Sequence, residues 1–99
     1  MVSSQEQVLR QSYRRSLGNK ADALRDSLAI KDLTQLTALL HKLTGSAGMY
    51  GFVDLSQQAR QLLNQIDETN SVDQIFESDE FIGKMTQLLD KMVVEEKDQ

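Results

Sequence analysis

No proline interrupts this 99-residue chain, and apolar residues return every three or four positions along most of it. Proline removes a backbone donor and clashes with the preceding turn, so its absence leaves every segment free to stay helical. Leucine and glutamine dominate, and the two-residue alternation of Val, Ile and Thr that marks strands is scarce. The pattern predicts helices throughout.

Four long stripes stand out. Leu9, Tyr13, Leu17, Ala21, Leu24 and Leu28 share one face of a first helix, with Ser3 and Glu6 in the form of a capping box at its start. Gly18-Asn19 could break that helix, but the stripe keeps its phase across them, which predicts one continuous helix, kinked there or straight, ending near Ala29. Asp32 reads as the N-cap of a second helix with Gln35 at the reciprocal position, and Leu33, Leu36, Leu40, Leu43, Ala47 and Tyr50 as its apolar stripe. Gly51 reads as its stop. Asp54 and Gln57 repeat the capping pattern before Leu55, Ala59, Leu62 and Ile66. Val72 to Glu77 reads as a short helical turn, and Phe81, Met85, Leu88 and Met92 mark a last long helix with an acidic tail expected to fray. Four long amphipathic helices with short connections predict an all-α, antiparallel up-down four-helix bundle, one domain over residues 1–99.

Composition narrows the chemistry. Without cysteine there is no disulfide frame, no thiolate nucleophile and no zinc knuckle. A net charge of -4 disfavours non-specific nucleic-acid binding. No apolar run approaches the roughly 20 residues of a membrane span, and the N-terminus has no signal-peptide form. The expectation is a cytoplasmic chain with neither nucleic acid nor membrane as partner. Charge is uneven: residues 1–60 carry eight Lys/Arg against five Asp/Glu, and residues 61–99 carry three against ten. Between Leu33 and Val53 the only formal charge is Lys42, next to the single histidine, His41.

At about 100° per residue, His41 lies about 130° from the centre of the second helix's apolar stripe, on the side of Thr37, Gly45 and Gly48. It is therefore expected to face solvent among small neighbours. A glycine inside a helix costs about 1 kcal/mol relative to alanine. Gly48 and Gly51 could unwind the helix end or let two helices approach. Gly45 faces away from the core, where neither reason applies, and a bare backbone there would let another molecule come close to the imidazole. A neutral imidazole is nucleophilic near neutral pH. A phosphoryl group on it would be favoured by Lys42 and repelled by carboxylates, which this stretch omits. An ordinary surface histidine is the competing reading. A metal site is poorly supported, because one histidine without cysteine or carboxylates at i±4 makes few ligands. A Ser-His-Asp hydrolase lacks its nucleophile elbow and its sheet.

The run His41-Lys42-Leu43-Thr44-Gly45-Ser46-Ala47-Gly48-Met49-Tyr50-Gly51-Phe52, continued by Leu55-Ser56-Gln57-Gln58-Ala59-Arg60-Gln61-Leu62, resembles the signature of histidine-containing phosphotransfer (HPt) domains. The resemblance implies a phosphorelay intermediate of two-component signalling. His41 would be the phosphoacceptor, taking its group from a receiver-domain phosphoaspartate and passing it to an aspartate on another receiver. Gly45 would let the receiver approach. Many members carry lysine three residues after the histidine, where this chain has Thr44; Lys42 would then supply positive charge from another angle.

Partners implied are response-regulator receiver domains and a hybrid sensor histidine kinase. No cofactor is implied in this chain itself; the Mg²⁺ belongs to the receiver. The chain would be a phosphocarrier and a monomer, without kinase activity of its own, because it has no P-loop. Hairpin geometry puts Gln61 level with His41, where it would either accept from the imidazole Nδ1–H or be an ordinary solvated glutamine, with Gln57, Gln58 and Asn64 as competitors. The expected docking patch is Thr37, Ala38, His41, Thr44, Gly45 and Gly48, with Gln58 at its margin. The alternative is a receiver-binding helical adaptor or anti-activator that does not transfer phosphoryl groups.

Overall fold

The computed structural model describes residues 4–69 and 71–97. Five helices follow one another: α1 (Ser4–Ala29), α2 (Leu33–Met49), α3 (Val53–Asp67), α4 (Val72–Glu77) and α5 (Asp79–Lys97). The contacts run α1 on α2, α2 on α3, α3 on α5 and α5 back on α1, a closed ring of four long helices. The three-residue connections between α1 and α2 and between α2 and α3 turn those neighbours antiparallel. An ion pair from Lys91, late in α5, to Asp54, early in α3, makes that pair antiparallel too (3.5 Å). The expected four-helix bundle is thus present, with α4 as a short fifth element packed on α5.

The core is built on the four stripes, with Phe52, Leu63, Ile75 of α4 and Leu89 added to them. Leu17, Ala21, Leu24, Leu36, Leu40, Leu43, Ala47, Leu55, Ala59, Leu62, Phe81, Met85, Leu88 and Met92 are buried. Leu28, Leu33, Tyr50 and Ile66 close its edges as partly buried residues. Leu9 departs from expectation at 47% exposed. The reason is length: Tyr13 stacks on Tyr50 in the α2–α3 connection (centroids 4.8 Å apart), so the turns of α1 before Arg10 project past the end of the bundle.

Local chemistry sets the joints. α2 ends in a Schellman closure: Phe52 N–H donates to Ala47 C=O (2.7 Å) and Gly51 N–H to Gly48 C=O (3.2 Å). Gly51 takes the left-handed conformation this needs, at φ 85°. α1 ends the same way without a glycine. Lys31 adopts φ 57°, while Asp32 N–H donates to Ser27 C=O (2.9 Å). Asp32 then caps α2 as expected, its carboxylate accepting from Gln35 N–H (3.0 Å). The reciprocal bond from Gln35 is not made, because the Asp32 N–H already closes α1.

Two expectations are corrected. Asp54 is not the N-cap of α3. Phe52, buried by the Schellman closure, occupies that position, and Asp54 lies inside the first turn, where its charge suits the helix dipole. The acidic tail stays helical to Lys97, and the Glu96 carboxylate accepts from Gly18 N–H (2.7 Å). Gly18 interrupts nothing: α1 is continuous, and a Cβ there would collide with the Glu96 carboxylate. The Ser3 capping position lies outside the described residues.

Candidate functional site

The seam between α2 and α3 builds the surface that carries His41. Ser56 ties the two helices together there, its hydroxyl donating to the Thr44 carbonyl (2.7 Å). A Cβ on Gly48 would stand 3.3 Å from Ser56 Oγ, so Gly48 keeps the two helices close at this point. The Thr44 hydroxyl turns back to donate to the Leu40 carbonyl (2.9 Å).

His41 lies three residues before Thr44 and is exposed. Among the described residues its imidazole has no hydrogen-bond or ion-pair partner. Ala38, Gly45 and Gly48 are exposed beside it, and Thr37 and Thr44 are half-buried at the seam. These α2 residues share one outer face of the helix. Gly45 leaves open space: a Cβ built on it would meet no atom within 4 Å. Among the described residues no neighbour crowds a Cβ out of that position. Gly83 in α5 is equally open, and nothing in the structure explains it.

Lys42 is exposed, one position and about 100° round the helix from His41. It lines the groove between α1 and α2 with Lys20, Leu24, Leu39 and Leu43, on the opposite flank from Thr44 and Ser56. Gln61 does not reach the imidazole. It lines the groove between α3 and α5 with Asp54, Gln57, Gln58, Lys84 and Gln87. Gln58 sits in the same groove, half-buried, its Oε1 enclosed without a hydrogen-bond partner among the described residues. Both glutamines stand at about the right height on α3 but on its α5 edge rather than its α2 edge, so neither borders the His41 patch.

On α3, Ser56 meets the seam through its bond to the Thr44 carbonyl, and Arg60, one turn on and exposed, lies about 40° further round the helix. Spacing on a single helix marks neither of them. Antiparallel register taken together with the angular step of each helix is the signal that could have found them.

An accessible, unpartnered imidazole can act as a nucleophile or as a proton acceptor toward a visiting group. The small residues around it leave room for another protein's surface. No helix is long and apolar enough to cross a membrane, among the described residues. The family model described as Hpt domain matches residues 8–95 of the chain. No curated protein and no solved structure matches.

Proposed function

The chain belongs to the Hpt domain family, whose part in two-component signalling is phosphotransfer within a phosphorelay, and from that premise we propose that His41 is the residue that carries the phosphoryl group. The observation that supports this most is the exposed, unpartnered ring beside the open space over Gly45.

In this reading the chain is loaded by a receiver domain, the receiver of a hybrid sensor histidine kinase being the natural donor. The His41 Nε2 lone pair attacks the phosphorus of the receiver's phosphoaspartate in line with the bond to the leaving oxygen. The N–P bond forms, the acyl P–O bond breaks, and the aspartate leaves as a carboxylate. The ring keeps its proton on Nδ1, so the attacking nitrogen is the unprotonated one. The reverse sequence on a second receiver returns the imidazole and phosphorylates that receiver's aspartate. Such transfer is mostly positioning and charge neutralisation. The receiver contributes the Mg²⁺, and this chain contributes a nucleophile on rigid helix backbone. One exposed acceptor needs no second copy of the chain, and receivers of this kind place the exchange in the cytoplasm.

The test is to incubate the chain with a phosphorylated receiver and follow acid-labile, base-stable label. The wild type acquires it and His41→Gln does not; normal labelling of His41→Gln would reject His41 as the acceptor. One observation favours the adaptor reading instead: Thr44, one turn from His41, spends its hydroxyl on its own helix and brings no cation. Receiver binding unchanged by His41→Ala, with no phosphohistidine formed from any donor, would establish that alternative.

A further inference from the structure

A phosphoryl group on His41 would carry nearly two negative charges, and a cation close by would offset them. The formal charges on the two helices of the seam are Lys42 on α2 and Asp54, Arg60 and Asp67 on α3. Lys42 stands on the far flank, in the α1–α2 groove. Asp54 pairs with Lys91. Asp67 is about two turns beyond Arg60.

Arg60 is placed differently. The Ser56–Thr44 bond sets the register of the antiparallel pair. Moving one turn along α3 from Ser56 gives Arg60, and moving nearly one turn back along α2 from Thr44 gives His41. Both steps run in the same direction, so the two residues stand at one level. Each is also rotated outward from the seam by a similar angle, about 40° beyond Ser56 for Arg60 and about 60° beyond Thr44 for His41. Helices packed side by side lie about 8–10 Å apart, a gap that an arginine side chain spans. Arg60 is exposed and, among the described residues, has no hydrogen-bond or ion-pair partner. The residues one turn either side of it on α3 are Ser56, Gln57, Leu63 and Asn64, so no carboxylate on its own helix competes for it.

We infer that Arg60 is the cation that faces a phosphoryl group carried on His41, in the role that neither Thr44 nor Lys42 is placed to fill. This rests on His41 being the phosphoacceptor.

The full chain is phosphorylated with phosphoramidate, a small donor that needs no receiver, and the phosphohistidine is titrated by ³¹P NMR. A guanidinium about 6 Å from the phosphoryl oxygens, partly solvated and screened at about 0.1 M salt, lowers the phosphoryl titration midpoint by about half a unit. Arg60→Gln should therefore raise the midpoint by about half a unit and slow transfer from a phosphorylated receiver about threefold, the same free energy expressed as a rate. Arg60→Lys should restore most of the midpoint shift, which a purely structural role would not. Lys42→Gln should move the midpoint less. An unchanged midpoint in Arg60→Gln, or a larger shift in Lys42→Gln, overturns the role of Arg60 while leaving His41 as acceptor. Slower receiver transfer with an unchanged midpoint also overturns it, and makes Arg60 a docking contact. Failure of His41 to take up phosphoryl from either donor overturns the acceptor assignment and the inference together.

Discussion

At the scale of single residues, the informative contrast is between glycines. Gly48 and Gly51 are fixed by the fold, one by Ser56 and the other by its left-handed backbone. Among the described residues nothing crowds Gly45. Gly45→Ala and Gly83→Ala should each raise stability, by up to about 1 kcal/mol, measured by urea denaturation, because each removes helix-interior backbone freedom without a clash. A leucine separates the two sites. Gly45→Leu should keep the fold and slow phosphotransfer, whereas Gly83→Leu should leave the rate unchanged; equal rates for both would remove the close-approach argument. His41 and Gly45 were legible in the sequence because helical periodicity alone sets their direction. Gln61 and Arg60 were not. Choosing between them needs the rotation of α3 about its own axis, which depends on how Ser56 and Gly48 meet across the seam.

Among the elements, the joints carry the lesson. Asp32 serves two helices at once: its N–H closes α1, and its carboxylate opens α2. The residue before it bears the strain. A non-glycine residue in the left-handed region costs free energy that glycine does not, so Lys31→Gly should stabilise the bundle by roughly 0.5–1 kcal/mol, seen as a higher urea midpoint at unchanged slope. A lower midpoint would mean that the lysine charge at the end of α1 outweighs its backbone cost. Gly51 announced the end of α2 because a glycine after an apolar stripe is a local signal. Lys31 carried no such mark, and the turn it makes is visible only once the hydrogen bonds are traced. The misplaced cap at Asp54 has the same origin: burial of Phe52, a tertiary event, moves the start of α3 to the residue after it.

For the whole molecule, the stripes foretold the ring of four helices, and the places where they failed were the ends. Leu9 had the right spacing but is 47% exposed, on the part of α1 that precedes the Tyr13–Tyr50 stack. One partly buried contact makes global stability sensitive to pH. Ser46 spends its hydroxyl proton on the Lys42 carbonyl (2.8 Å), so Tyr13 donates to Ser46 Oγ across the α1–α2 interface (2.7 Å). Burial raises the Tyr13 phenol above its ordinary value of 10.0. The folded state then holds a proton that the unfolded chain releases, so this contribution is complete below about pH 10 and declines as pH rises toward the folded value. Tyr13→Phe should be about 1 kcal/mol less stable at pH 7, and its deficit should shrink in denaturation series above pH 10; a deficit that grows there would contradict the sign. The bundle itself is a narrow rod, 46 × 21 × 19 Å, with its one imidazole on a single flank. For the relay proposed, that is one berth. Supplier and recipient cannot moor there together, so traffic runs as a queue, and a spent supplier that lingers delays every delivery behind it.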